Sequence, residues 1–397
     1  MPDFHMNRLP TFPRLAESSI ETMEQRIAAA ARRLPVGIVI PSLYTDLDGP
    51  AMGPIIAELA AAPFVRRVYI SLDRASEEQF QRAKQIVAPL ENKVALLWND
   101  APSVRDVVQR IDEVLPLGPA GKGRAVWLAL GYVLARGEVS VLGFHDADVL
   151  TYDREFLLRL LHMVVLQRYQ FAKGYYARHA GRLYGRVVRL FYFPFVRALR
   201  DIVGSVDFLD YMADFRYPLS GEFATFVSIA RELRFPSDWG IEVGVLAEVY
   251  RLVRVPRICQ VELTGRYDHK HQPLGDTPDQ GLTRMASDIA RTFFTHLAGQ
   301  GFVLNEEFYT TLKLTYLMHA RDFADAYENL SGMHGGLRYD LHDELSHVEA
   351  FASCIESALN QFRSHSFGSP MIPDWRRVDV AMDGITRHLM EAYDAAT

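Results

Sequence analysis

Two aspartates follow a run of apolar residues in the segment GFHDADVL, residues 143–150. Asp146 and Asp148 are two positions apart, so in extended backbone both side chains leave on the same side. Two unit charges about 4 Å apart repel by roughly 4 kcal/mol at an effective dielectric of about 20, so either one carboxyl is protonated or a cation lies between them. Mg²⁺ or Mn²⁺ suits carboxylate oxygens and commonly bridges to substrate phosphates. The alternative is that Asp146 caps a following turn and Asp148 is solvated.

A lysine between two glycines precedes a predicted helix in the segment GPAGKGRAVWLAL, residues 118–130. The N-terminus of a helix offers free N–H groups and the positive end of the helix dipole, and Lys122 adds a full charge. This combination suits a diphosphate, although the spacing of a Walker motif is missing. A flexible surface turn is the equally weighted alternative.

Acidic and histidine side chains also occur in three later segments. Glu222 lies in YPLSGEFATF (217–226), and Glu242 lies among apolar residues in FPSDWGIEVGVL (235–246). An unpaired carboxylate is costly in such surroundings, so Glu242 should bond either a sugar hydroxyl or a structural partner. In RYDHKHQPL (266–274), His269 or His271 could complete the coordination of an ion held by carboxylates, although solvated loop histidines are commoner.

Four short β-branched runs alternate with helical stretches, and this alternation predicts a parallel sheet with crossover helices. The runs are VGIVIP (36–41), VRRVYISLD (65–73), VALLW (94–98) and VSVLGF (139–144). Ligands of such sheets bind at the carboxyl ends of the strands, where the aspartate pair lies. A predicted helix over residues 15–34 precedes the sheet.

After about residue 280 the pattern changes to long amphipathic helices, one of them with Asp374 as its predicted N-cap. The Gly- and Pro-containing segment HQPLGDTPDQG (271–281) is the predicted connection between the α/β part of the chain and these helices. The predicted division is an N-terminal helix over residues 1–34, an α/β domain over 35–275 and a helical C-terminal region over 276–397.

The composition of the 397 residues limits the classes to which the protein can belong. With 49% hydrophobic and 23% charged residues the chain can bury a large core. Its net charge of −6 does not favour binding to nucleic acid or to an anionic membrane. Cys259 and Cys354 lie in no ligand or disulfide pattern, so a reducing cytoplasm is expected. The aromatic run LFYFPFV (190–196) is too short to span a bilayer and predicts buried packing.

Five segments, in order and spacing, resemble the glucosyl-3-phosphoglycerate synthases: GPAGKGRAVWLAL, HDADV, PLSGEFA, FPSDWGIEVGVL and HKHQPL. The resemblance runs from about residue 36 to residue 274. It implies an α/β fold of the GT-A type, Rossmann-like with a mainly parallel sheet, in which residues 35–275 form a nucleotide-sugar-binding catalytic domain. It also implies a retaining glucosyltransferase that uses Mg²⁺ or Mn²⁺, takes GDP- or UDP-glucose as donor and 3-phosphoglycerate as acceptor, and allows for a homodimer.

The resemblance assigns roles to residues of this chain. The expected metal ligands are Asp146, Asp148 and His269. The expected donor-binding residues are Pro41, Ser42, Leu43, Lys122 and Ala147. The residues expected at the reacting centre are Asp148, Glu242 and Leu219. The expected acceptor-binding residues are Arg186, Lys173 and His271.

Departures from the family pattern concern the acceptor most. The family's hydroxyl two positions after the acceptor arginine is Val188 here, and His271-Gln272 replaces an Asn-Arg pair. A mannosyl donor and a glycerate acceptor therefore stay open as alternatives. A sugar-nucleotide nucleotidyltransferase would need a glycine-rich loop that VGIVIPSLYTDLDG (36–49) does not supply, and a non-catalytic sensor would bind the donor without turnover.

Overall fold

The computed structural model describes residues 8–15, 19–238, 240–268, 280–364 and 371–396. Within these ranges a mainly parallel sheet lies between two layers of helices. The strands are β1 (Thr11–Phe12), β2 (Val36–Leu43), β3 (Val65–Asp73), β4 (Val94–Trp98), β5 (Val141–Phe144), β6 (Phe171–Tyr176), β7 (Phe223–Phe226), β8 (Phe235–Pro236), β9 (Ile258–Thr264) and β10 (Met371–Ile372).

The α-helices of the described residues alternate with the strands as far as β9 and then follow one another almost without interruption. They are α1 (Ile20–Ala31), α2 (Tyr44–Leu47), α3 (Met52–Ala61), α4 (Glu77–Val87), α5 (Pro102–Val114), α6 (Lys122–Arg136), α7 (Arg154–Val165), α8 (Phe193–Val203), α9 (Asp207–Ala213), α10 (Val227–Ala230), α11 (Ile241–Leu252), α12 (Gly281–Gly299), α13 (Glu306–Met333), α14 (Leu341–Ser364), α15 (Trp375–Ala381) and α16 (Ile385–Ala396).

The main sheet has the strand order β1-β9-β6-β7-β5-β2-β3-β4. All its neighbours are parallel except β7, which runs antiparallel to both β5 and β6. The four strands predicted from the sequence are present, with β2 extended to Leu43 and β5 begun at Val141. The predicted fold class is confirmed, and the reversed β7 is the element that the β-branched runs did not reveal.

Each face of the sheet carries its own apolar core. Ile38 and Ile40 of β2 point into one core, which is covered by α1, α3, α4 and α7. Val39, between them, points into the other, which is covered by α5, α6, α8 and the helices beyond residue 280. This alternation is the period of two that a strand imposes on its side chains, and it accounts for the unbroken apolar runs of the sequence.

The chain beyond residue 280 packs in two places. Helix α14 packs on both α12 and α13, and α13 also packs on α8. The chain then returns to the sheet layer, where Trp375 stacks on Trp127 of α6 with ring centroids 4.2 Å apart. Asp374 caps α15 as predicted, by accepting from the Arg377 N–H at 2.9 Å. The division into three domains stays a prediction, and contacts of β1 with β9 and of α16 with α6 cross its boundaries.

The aromatic run at residues 190–196 is interior packing. It forms a π-helical segment, Val187–Tyr192, that continues into α8, and Leu190, Phe191 and Phe195 are fully buried. Of the helices in the described ranges, none combines the length and the apolar character needed to cross a membrane.

Candidate active site

Five of the residues predicted from the sequence line one pocket at the carboxyl edge of the sheet. They come from five different elements: Pro41 from β2, Lys122 from the first turn of α6, Asp146 from the segment after β5, Lys173 from β6 and Glu242 from the first turn of α11. Such an edge is where open α/β sheets bind their ligands.

Lys122 is the centre of the charges in this pocket. Its ammonium lies 2.6 Å from Oδ1 of Asp146 and 2.8 Å from Oε1 of Glu242. Burial alone lowers the pKa of Lys122, but the two carboxylates outweigh that effect and raise the pKa well above its ordinary value. The structural partner of Glu242 is therefore a lysine, which also pairs with Asp146.

A close backbone contact fixes where α6 begins. A Cβ on Gly123 would lie 2.0 Å from the carbonyl oxygen of Pro236 in β8, so only glycine lets the first turn of the helix approach that strand. Lys122, the first residue of α6, is thereby held over the pocket with the free N–H groups of the helix N-terminus.

Gly221 makes the corresponding space for Asp146. A Cβ at this position would lie 2.4 Å from Oδ1 of Asp146, far inside van der Waals contact. The Gly-Glu pair of the PLSGEFA segment therefore has a geometric reason: the chain at Gly221 passes directly against Asp146, and Glu222 follows as a fully buried residue.

Replacing Gly221 with alanine is expected to lower turnover at least about tenfold, because Asp146 must move while the fold around it is tightly packed. Steady-state kinetics and thermal unfolding of the two proteins measure the effect. Gly53→Ala is the matched control, since Gly53 lies in α3 with no atom within 4 Å of the added methyl group. Equal kinetic losses in both variants would contradict the expectation.

Lys173, which lines the pocket, and Glu222 behind it are both buried. The Lys173 ammonium donates to the carbonyl oxygen of Ser220 at 2.6 Å, and burial lowers its pKa to about 8 against the opposing effect of Glu242 and Glu222. Glu222 accepts from the hydroxyls of Tyr176 and Tyr267, both at 2.8 Å. Burial, together with nearby Asp146, raises the pKa of Glu222. No local pattern pointed to these tyrosine partners, which come from β6 and the segment after β9.

The end of β2 meets a buried polar network that the sequence analysis missed. Leu43 pairs in register with Asp73 at the end of β3. Asn99 donates to Asp73 at 2.6 Å and accepts from the hydroxyl of Tyr393 in α16, also at 2.6 Å. Burial raises the pKa of Asp73 to about 6 despite the hydrogen bond from Asn99. The signal was present in part, because Asp73 and Asn99 both follow predicted strands, but nothing pointed to Tyr393.

The remaining donor-side residues lie close to these. Ser42 is buried and donates to the carbonyl oxygen of Leu43 at 2.9 Å. Ala147 is buried between the two half-buried aspartates, Asp146 and Asp148. The two carboxylates are hard oxygen ligands of the kind that Mg²⁺ and Mn²⁺ prefer, and both side chains are only partly buried. The residues present therefore fit a divalent cation.

The third predicted metal ligand, His269, and the predicted acceptor residue His271 lie outside the described residues. Among the residues that the structure does describe, no three His, Cys, Asp or Glu side chains are arranged to hold a metal ion. The metal assignment consequently stays a prediction that depends on His269.

Arg186 is not among the described residues that line the pocket. It binds instead to α14, where its Nε donates to Glu344 at 3.0 Å, its Nη1 donates to Nε2 of His347 at 2.8 Å, and its Nη2 donates to Asp343. These acids lie more than 150 positions further along the chain, in a region where the sequence showed only helical periodicity.

A short chain of contacts connects the segment of Arg186 with the pocket. Gly185 packs against Tyr217, whose hydroxyl would lie 3.0 Å from a Cβ on that glycine. Tyr217 accepts from Arg178 at 3.0 Å and lies two positions before the half-buried Leu219. The next residue, Ser220, binds Lys173. Leu219, predicted to lie beside the reacting centre, thus lies between Tyr217, which contacts the neighbour of Arg186, and Ser220, which binds Lys173.

Comparisons with known proteins show the family of the chain. A glucosyl-3-phosphoglycerate synthase of Persephonella marina is 40% identical over 398 residues, which cover 99% of this chain and 98% of that protein. One of Methanococcoides burtonii is 33% identical over 94% of this chain and 93% of its own. No profile model of a known protein family matches the chain.

Two solved structures share the fold. The glucosyl-3-phosphoglycerate synthase of Mycobacterium tuberculosis, in complex with Mn²⁺, UDP and phosphoglyceric acid, is 22% identical with a TM-score of 0.52 over 72% of this chain and 85% of its own. The mannosyl-3-phosphoglycerate synthase of Rubrobacter xylanophilus is 22% identical with a TM-score of 0.54 over 75% and 83%. With relatives of 40% and 33% identity along nearly its whole length, the chain belongs to the glucosyl-3-phosphoglycerate synthases, a family of glycosyltransferases of GT-A fold.

Proposed function

We propose that this chain transfers glucose from UDP-glucose or GDP-glucose to 3-phosphoglycerate, with retention at the anomeric carbon. The activity named for the two relatives supports the proposal, since each is matched over more than nine-tenths of its length. The observation that carries it is the meeting of Lys122, Asp146 and Glu242 in one pocket at the carboxyl edge of the sheet.

In this proposal Pro41, Ser42, Leu43 and Ala147 cradle the nucleotide, and Lys122 moves from its carboxylate partners to the diphosphate. The N-terminus of α6 adds further N–H donors at the same place. Glu242, released from Lys122, is then free to accept from hydroxyls of the donor sugar. Asp146, Asp148 and His269 would hold a divalent cation, which when bound supplies Lewis-acid stabilisation of the departing diphosphate.

Retention constrains how the acceptor attacks. A carboxylate nucleophile would have to stand unpaired beside the anomeric carbon. In the proposal Asp146 is taken up by the divalent cation and Glu242 by hydroxyls of the donor sugar, while Glu222 behind them is held by the hydroxyls of Tyr176 and Tyr267. We therefore favour a front-face route, in which the acceptor hydroxyl attacks beside Leu219 from the side on which the diphosphate leaves. Arg186, Lys173 and His271 are the proposed partners of the acceptor's anionic groups.

Purified protein should form glucosyl-3-phosphoglycerate when it is incubated with Mg²⁺ or Mn²⁺, 3-phosphoglycerate and the correct glucose donor. Parallel reactions with UDP-glucose, GDP-glucose and GDP-mannose, each with 3-phosphoglycerate or glycerate, identify donor and acceptor by mass spectrometry, and NMR reports the anomeric configuration. A mannosylated product, a preference for glycerate, or release of pyrophosphate in place of a nucleoside diphosphate would each contradict the proposal in a different way.

A cytoplasmic location is proposed from the cysteines, since Cys259 and Cys354 are both buried free thiols. A homodimer stays a prediction, for which the mass of the protein in solution is the direct measurement.

A further inference from the structure

Arg186 is held by three side chains of one helix. Glu344, His347 and Asp343 lie in the first two turns of α14 and contact its Nε, Nη1 and Nη2 respectively. The loop that precedes α14 is also joined to the segment before Arg186, because the Arg338 N–H donates to the carbonyl oxygen of Gly181 at 2.8 Å. The helical C-terminal region thus holds the predicted acceptor-binding arginine.

The three contacts differ in how firmly they are made. The side chain of Glu344 is only 6% exposed, and it is shared with Arg189, which donates to its other oxygen at 2.9 Å. His347 is almost as buried and donates from Nδ1 to the backbone of Asp343, so its Nε2 is left to accept from Arg186. Asp343 is 47% exposed. Glu344 and His347 are therefore fixed, whereas Asp343 can turn into water at small cost.

The charges of this cluster already balance. Arg186 and Arg189 carry two positive charges, and Asp343 and Glu344 carry two negative ones. An acceptor with a phosphate and a carboxylate would gain no net Coulomb attraction from a neutral cluster. The departure of Asp343 would leave one uncompensated guanidinium, with its planar N–H groups already oriented by Glu344 and His347.

We propose that Asp343 occupies, on Arg186, the position that an anionic group of the acceptor takes during the reaction. Glu344 and His347 act as positioning residues for the guanidinium, and Asp343 sets the acceptor concentration that the enzyme requires. This inference rests on the proposed function, because it takes Arg186 as an acceptor-binding residue. It gives the helical C-terminal region a part in acceptor selection.

The test is the Asp343→Asn variant of the full chain, assayed with 3-phosphoglycerate. We expect its KM for 3-phosphoglycerate to fall about two- to fivefold, the range for loss of a partly exposed competing ion pair, with kcat and donor KM unchanged. Glu349→Gln is the matched control, since it removes the same charge from an exposed position of the same helix. Calorimetric titration with 3-phosphoglycerate gives the corresponding change in Kd.

The outcomes separate this inference from the proposed function. A wild-type enzyme that uses 3-phosphoglycerate, with an unchanged or higher KM in Asp343→Asn, would overturn the inference alone. An equal fall in KM for Glu349→Gln would overturn it too, because the effect would then be one of general charge. A wild type that neither turns over nor binds 3-phosphoglycerate would overturn both.

Discussion

Replacing Asp148 with asparagine should leave a folded protein whose metal-dependent turnover is about 10²- to 10³-fold lower. Loss of a carboxylate that holds the predicted cation removes several kcal/mol of stabilisation from the departing diphosphate. The fold should survive, because Asp148 is half-buried and its removal relieves repulsion with Asp146. Product formation at a series of Mg²⁺ or Mn²⁺ concentrations, with thermal unfolding beside it, measures both effects.

The control for this experiment is Asp106→Asn, which removes the same charge from an exposed position on α5. It should match the wild type in both assays. An Asp148→Asn protein that is folded and as active as the wild type would show that the metal site has been placed wrongly. A variant that recovers its activity at high metal concentration would instead support weakened coordination.

Replacing Lys173 with methionine should reduce acceptor-dependent turnover about 10²-fold or more without loss of stability. The Lys173 ammonium is buried, and its pKa of about 8 is set by burial, opposed by Glu242, Glu222 and Asp146. This value lies below the ordinary 10.5. Converted to free energy, the difference means that a charged Lys173 costs the folded protein about 3 kcal/mol of stability. The loss of that cost in the variant offsets the loss of the hydrogen bond to Ser220.

The lowered pKa of Lys173 also predicts how turnover and the free energy of unfolding change with pH. The lysine loses its proton in the folded protein near pH 8, so acceptor-dependent turnover should decline above that pH. Between pH 8 and 10.5 the unfolded chain holds more protons at this position, so the contribution of Lys173 to the free energy of unfolding should rise with pH. Lys173→Arg should move the alkaline decline upward, since a guanidinium stays charged.

A different charged residue provides the comparison for Lys173. Lys313→Met removes a lysine that is 40% exposed on α13 and paired with Glu356. Its pH profile and turnover should equal those of the wild type. If Lys173→Met keeps the alkaline decline near pH 8, another group is responsible for it, and Lys173 has no role in holding the acceptor.

The sequence predicted the parts of the site that lie next to strand ends and helix starts. Asp146 follows a predicted strand, Lys122 begins a predicted helix and Pro41 ends a predicted strand, and the sheet brings such positions to one edge whatever the rest of the chain does. Glu242 was predicted to need a partner, but the identity of that partner depends on the packing of α6 against β8, which no local pattern reports.

Contacts between residues far apart in the chain could not be predicted from the sequence, for a different reason. Arg186 and Glu344 are 158 positions apart, and the acids of α14 look like an ordinary solvated helix face until the helix is placed. Strand β7 is four residues long, and its antiparallel pairing follows from the path of the chain between β6 and β9. In both cases the missing information was tertiary placement and not residue type.

Tyr393 reaches Asn99 across 294 positions of sequence, and this bond completes the polar network at the end of β3. During synthesis the strands β2, β3, β4 and β5 emerge and can pair long before residue 393 exists. The nascent chain can therefore form the pairs among β2, β3, β4 and β5 well before the polar network at the end of β3 is complete. Until α16 has been made and has docked, Asn99 lacks its tyrosine partner and the buried Asp73 has only part of its network.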